Sequence, residues 1–324
     1  MRITKMVFSM LIISIFIVFS CDTTEEIEKG MFPETPVNFQ AINSEFDDYN
    51  MDLPREYWGE FPIAFSSNRN SSGQNFDLID YFVYYDYYPE NNEFVFNAFP
   101  EASYWLYDTI LPHVNTDFNE FGPMLVFIDN VNYLFLYAND SSGNLDIKYL
   151  LGNFYFGIQK ESSFMPVTSS FNEAYPAFNS NFSSLYFCSD STGNFDIYKI
   201  NQPDDLSIIN WIKSLDYAVK EGISEINSTN DDKCPFINGK LMVFTSDRPG
   251  GYGGFDLYYS VFKDGLWNAP VNFGPEINSE SDEYRPVVMY GTNYSNDLMM
   301  FSSNRNGGKG GFDIYYVGIP KMMR

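Results

Sequence analysis

The stretch Ser302-Ser303-Asn304-Arg305-Asn306-Gly307-Gly308-Lys309-Gly310-Gly311-Phe312-Asp313-Ile314-Tyr315-Tyr316 decides how the chain is read, because it is written more than once. Thr245-Ser246-Asp247-Arg248-Pro249-Gly250-Gly251-Tyr252-Gly253-Gly254-Phe255-Asp256-Leu257-Tyr258-Tyr259 repeats it almost residue for residue. Weaker copies run from Ser189 to Tyr198, from Ala138 to Tyr149 and from Ser66 to Leu78. Five copies at intervals of 50 to 69 residues point to a repeat architecture.

Each copy has the same grammar. An apolar strand precedes the glycine-rich loop, as in Leu298 to Phe301, and a second follows it, as in Ile314 to Val317. Two apolar strands joined by a loop rich in Gly, Asn and Ser form a hairpin. Upstream lies an acidic turn that leads into a short strand, clearest in Asn278 to Val288 and Asn227 to Ile237. Downstream lies a tryptophan-bearing strand, clearest in Gly265 to Gly274, with Trp211 and Trp105 at matching places. Aromatic residues make up 19% of the chain, which favours half-buried pleated surfaces over helices. The class is all-β, and four strands in about 40 to 60 residues is the size of one propeller blade.

The two ends indicate how the ring closes. The last copy lacks its tryptophan strand, and Pro36-Val37-Asn38-Phe39 repeats Pro270-Val271-Asn272-Phe273. The N-terminal strand is therefore expected to complete the last blade of a five-bladed propeller, leaving no open sheet edge. The long first interval holds an insertion, Tyr81 to Ser103, expected as an extended outer hairpin of the first blade. A degenerate sixth blade inside it is the alternative.

Residues 1–20 read as an address label. Arg2 and Lys5 precede an uncharged apolar run from Met6 to Phe19, too short to span a bilayer and suited to a secretory signal. Val18-Phe19-Ser20-Cys21 resembles a bacterial lipobox, with Phe19 departing from it, which makes Cys21 the expected lipid attachment. Residues 21–34 read as a polar, flexible tether and 35–320 as the propeller.

With 19 Lys and Arg against 43 Asp and Glu, the formal charge is -24. Nucleic acid is not an expected partner, since its affinity rests on cationic contacts to phosphate. Nor is an electrostatic dock on an anionic membrane. Cys188 and Cys234 fall in different repeats and read as buried small apolar residues.

The motif Ser-Asn-Arg-x-Gly-Gly-x-Gly-Gly-Phe-Asp-Ile-Tyr, preceded by Asp282 to Pro286 and followed, in the fourth copy, by Trp267 to Gly274, resembles the PD40, WD40-like and TolB-like, propeller repeat of Gram-negative envelope lipoproteins. The resemblance spans about residues 36–317. It implies a non-catalytic binding or scaffold module at the outer membrane, monomeric and held by lipid on Cys21. Its partner would be an envelope protein or glycan, with no enzymatic reaction and no cofactor.

In such a propeller the Arg- and Gly-rich loops and the acidic turns share one face. Arg69, Arg248 and Arg305 are expected there with Asp231, Asp232, Asp282, Glu283, Asp47 and Asp48. The rim reads either as local ion pairs that pin each loop or as a polar binding surface around the central mouth. The Phe-Asp aspartates Asp77, Asp146, Asp196, Asp256 and Asp313 read as turn acceptors, not metal ligands. The glycine runs lack the GxxxxGK[ST] pattern of a phosphate cradle. His113 is the one histidine, and no nucleophile motif accompanies it. The alternative function is a glycan-processing hydrolase with carboxylates in the central funnel.

Overall fold

The computed structural model describes residues 29–55, 59–91, 93–99, 104–214 and 219–322. The signal segment and Cys21 lie outside them. Five antiparallel sheets stand around a common axis. Blade 1 holds Asp48–Asp52, Glu60–Ser67, Asp77–Tyr88 and Glu93–Phe99. Blade 2 holds Glu120–Phe127, Asn132–Asn139, Asp146–Asn153 and Gly157–Phe164. Blade 3 holds Glu173–Phe178, Ser184–Ser189, Asp196–Asn201 and the short Glu221–Gly222. Blade 4 holds Asp232–Asn238, Leu241–Ser246 and Asp256–Lys263, and two short outer pieces, Leu266–Trp267 and Val271–Asn272, pair with the last of these. Blade 5 holds Glu283–Met289, Asp297–Ser303 and Asp313–Ile319. Its fourth strand is Val37–Asn38, with Val37 opposite Tyr316 and Asn38 opposite Tyr315. The ring closes as the repeated Pro-Val-Asn-Phe segments require, and there is no sixth blade among the described residues.

The first strands of consecutive blades touch in a circle and line the axis. Each carries a bulge at the same place. The bulged residue is left-handed in every blade: Asn50 (φ 61°), Gly122 (56°), Tyr175 (55°), Cys234 (55°) and Arg285 (51°). Four of them precede a proline, which has no N–H to give the ladder and is tolerated at a bulge. Four side chains are thereby held towards one another in a backbone region that costs a bulky residue about 1–3 kcal/mol.

Neighbouring blades are joined by a latch repeated at all five junctions. The N–H of the residue before each repeat aspartate donates to a side chain in the next blade. The pairs are Phe76 to Asn119, Leu145 to Asn172, Phe195 to Asp231, Phe255 to Asp282 and Phe312 to Asp47, at 2.8–3.0 Å. The carbonyl of the same residue accepts the following backbone N–H of that neighbour, as in Asp48 to Phe312 at 2.8 Å. The loop glycines permit this approach. A Cβ on Gly253 would collide with the Ser281 carbonyl, and one on Gly310 with the Phe46 carbonyl.

The insertion in blade 1 is an extended hairpin, with Phe82 opposite Phe99 and Tyr88 opposite Glu93. It leans over the closing joint. Phe96 packs on Phe39 at 4.2 Å and on Tyr316 at 5.0 Å between ring centroids. Gly30 to Pro33, the end of the segment expected as a tether, is built into the same region. Phe32 is fully buried and stacks on Tyr294 at 4.1 Å.

One expectation is corrected. Trp105 and Trp211 are not on strands but in short helices, Trp105–Ile110 and Ile208–Lys213. Their apolar residues recur with helical spacing, Ile208, Trp211 and Ile212 in the second, and Ser207 caps it by accepting the Asn210 N–H.

Two substitutions probe this architecture by urea unfolding. Phe39→Ala, at the closing joint, is expected to cost about 3–5 kcal/mol. Gly310→Ala, at a latch, is expected to cost about 1–3 kcal/mol by overpacking. The joint is not essential if Phe39→Ala leaves the midpoint unchanged.

Candidate functional site

The three arginines of the expected rim are engaged inside their own blades. Arg69 reaches Asp48 at 2.5 Å, Arg248 reaches Asp232 at 2.5 Å and Arg305 reaches Glu283 at 2.8 Å. Each also donates through Nε to a strand serine, Ser67, Ser246 or Ser303, at 3.0–3.1 Å. Each donates through Nη2 to the carbonyl of Ile42, Ile226 or Ile277, at 2.6–2.8 Å. Each lies over two aromatic rings, as Arg305 does over Phe301 and Tyr315 at 5.1 and 5.0 Å. Asp231 and Asp282 are latch acceptors, and Asp231 also meets Lys233 at 2.7 Å. In blades 4 and 5 the Phe-Asp aspartates accept loop N–H groups, Tyr252 and Gly253 to Asp256, Lys309 and Gly310 to Asp313. In blades 2 and 3 hydroxyls take that place, Ser142 to Asp146 and Thr192 to Asp196. His113 sits on the surface beside Glu161 at 2.9 Å.

Blades 2 and 3 place Ser141 and Ser191 where the others have arginine. In blade 3 Lys220 stands in, 3.7 Å from Glu173. In blade 2 no cation lies within ion-pair distance of Glu120 among the described residues. Thr116 and Asn139 donate to its Oε1, and Oε2 is buried without a partner. Burial therefore pushes the Glu120 carboxyl up to about 7. The mouth on this face is lined with rings: Tyr49 contacts Phe76, Phe121 and Phe312 at 5.0–5.7 Å, and Tyr284 contacts Phe255 at 5.5 Å.

Two charged residues at the axis break the five-fold pattern. Two positions after the bulge start, the first strands carry Met124, Ala177, Phe236 and Val287, and blade 1 carries Asp52. At the bulge itself blade 5 carries Arg285. Asp52 is buried, accepts the Leu125 N–H at 2.8 Å and opens on a cavity of about 410 Å³. That volume suits a small-molecule site. Tyr104, Tyr107, Phe127, Phe182 and Phe236 supply aromatic walls, and Arg55 crosses the space. The Arg55 guanidinium donates to the carbonyls of Phe178 and Asn179 in blade 3. Burial pushes the Asp52 carboxyl up to about 6, against the Leu125 N–H and the charge of Arg285, which pull it down. Burial likewise brings Arg55 down to about 10. Among the described residues Asp52 is the one carboxylate on the cavity wall. A second, Asp80, accepts the Tyr104 N–H at 3.1 Å, and its charge and that of Asp52 both act on the buried Tyr107 phenol.

Asp52, Arg55 and Arg285 were not singled out from the sequence. Aligning the copies would have flagged Asp52, an acid where four copies are apolar.

No protein-family model matches the sequence, and no curated protein does. Solved structures do resemble the fold. An endo-arabinase from Bacteroides thetaiotaomicron is 13% identical, with 90% of this chain and 98% of that one covered and a TM-score of 0.51. A GH62 hydrolase in complex with xylotriose is 8% identical, with 90% and 97% covered and a TM-score of 0.52. TolB from Acinetobacter baumannii is 13% identical over 79% of this chain and 51% of that one, with a TM-score of 0.39. At these identities the likeness establishes the five-bladed propeller fold. It also overturns the expectation of a non-catalytic scaffold that is not an enzyme. That expectation took the propeller class to imply scaffolding, whereas the structures that share this fold along nine-tenths of the chain include an endo-arabinase and a GH62 hydrolase.

The unpaired Glu120 gives a pH test. Its folded pKa lies above its ordinary value, so ionising it opposes folding, and the wild type loses stability as pH rises from about 4.5 to about 7. Glu120→Gln is expected to melt a few degrees above wild type at pH 8 and level with it at pH 4. Equal melting at pH 8 would show that Glu120 carries no such strain.

Proposed function

We propose that the chain is a glycan-processing hydrolase whose proton-transfer group is Asp52. The observation that carries this reading is a lone buried carboxylate, raised to about 6, on the wall of an aromatic-lined cavity at the propeller axis. A carboxylic acid that keeps its proton up to about pH 6 is suited to a glycosidic leaving oxygen. Aromatic faces suit the apolar faces of sugar rings, and the exposed Phe127 gives the cavity a stacking edge. The shared fold of the endo-arabinase and the GH62 hydrolase supports the same class, and arabinose-containing glycans are the first substrates to try.

Hydrolysis by two carboxylates needs a partner for Asp52. Asp80 is the candidate, behind the cavity wall, where it accepts the N–H of the lining residue Tyr104. In this scheme Asp52 gives its proton to the departing oxygen as the glycosidic bond breaks, and a water that loses its proton to Asp80 bonds to the anomeric carbon, while Arg55 and the aromatic walls orient the sugar. The leader and lipobox-like sequence support a setting in the cell envelope, with lipid on Cys21 tethering the enzyme to the outer membrane.

Arabinan and aryl arabinofuranosides should be cleaved by wild type, with activity falling as pH rises through about 6, where Asp52 loses its proton. Asp52→Asn should lower kcat/KM by about 10²–10⁴ while the protein still folds. Undiminished turnover by Asp52→Asn would remove the assignment, and no cleavage across a wide glycan panel would remove the class.

A further inference from the structure

We infer that Arg285 forms an anion site on the propeller axis, built to take a small monovalent anion of the halide class. Its side chain extends from the fifth blade towards the second. Nη2 donates to the Pro123 carbonyl at 3.3 Å, and the guanidinium lies over the Tyr175 ring of the third blade at 5.5 Å. The residue is 1% exposed, and neither Nε nor Nη1 has a hydrogen-bond partner in the protein. These donors are forced inward. The bulge holds Arg285 at φ 51°, and its own N–H is fixed to Thr245 Oγ1 at 3.1 Å.

A buried guanidinium cannot relieve its position by losing a proton, as a lysine can. It needs an anion or a full set of acceptors. No carboxylate lies within ion-pair distance of Arg285 among the described residues, although the chain is strongly acidic. The one acid whose charge couples to it, Asp52, already accepts the Leu125 N–H. The other groups around it are the Tyr175 phenol and the thiols of Cys188 and Cys234, all three held neutral by burial. Gly122 meets the guanidinium from the second blade without a side chain. One buried cation with two unpartnered donors, beside a neutral phenol and two neutral thiols, matches a monatomic anion. A sulfate or phosphate has four oxygens to satisfy, for which two unpartnered donors are too few.

The site lies outside the cavity proposed for the reaction, although its charge acts on Asp52, and it is tested without substrate. Crystals of the wild-type protein soaked in sodium bromide should show an anomalous peak within hydrogen-bonding distance of Arg285 Nε and Nη1. In solution, replacing gluconate by chloride or bromide at constant ionic strength should raise the wild-type melting temperature by a few degrees. Arg285→Met should lose that increment. A water at the guanidinium with bromide found on the surface only, or the same halide increment in Arg285→Met, would overturn the assignment. If Arg285→Met does not fold, the wild-type soak decides alone.

Discussion

The structure depends on one hydrogen-bonded latch between blades. An N–H beside each repeat aspartate meets an Asp or Asn side chain of the next blade, and the matching carbonyl accepts the neighbour's next N–H. Each bond contributes only about 1 kcal/mol net, yet an unmade one would leave a desolvated donor. Five latches in a closed ring reinforce one another, because no junction opens without disturbing the two beside it. The fifth is made by Phe312 and Asp47, residues 265 positions apart. Closure is thus the same interaction as the other four, and the glycine-rich loops make it sterically feasible.

The same economy governs the buried charge. At the start of each first strand stands a carboxylate, Asp48, Glu120, Glu173, Asp232 or Glu283, buried in every case. Three of them meet an arginine and one a lysine, so most of the buried charge is neutralised inside its own blade. The arginines that look like a binding surface are therefore internal struts, clamped between aromatic rings and carbonyl groups. Glu120, in the blade where no cation among the described residues takes the arginine's place, is pushed up to about 7 by burial.

Function is to be sought where the repeats disagree. A residue present in every blade serves the ring, and a residue present in one is released from that task. Asp52 and Arg285 are such departures, both charged, both at the axis and electrically coupled. The shared fold alone does not assign residues to a reaction, because chemistry lives in the site and not in the scaffold. The asymmetry inside the ring is what gives the hydrolase reading its residues.

The sequence by itself determined the blade repeat, the hairpin in each blade and the closure, while the structure decided for five blades over six. Those features come from local patterns written five times: apolar alternation, turn residues at fixed offsets, and the twin Pro-Val-Asn-Phe segments. It misplaced Trp105 and Trp211 because it gave them the strand role of Trp267, although helical spacing stood beside each. Only the tertiary structure decided where the arginines point, that the insertion covers the closing joint, and that Asp52 and Arg285 share the axis. Those facts depend on contacts between blades far apart in the chain. A single copy of the repeat specifies its own turns and strands, but burial and charge at the centre arise only when five copies are packed around it.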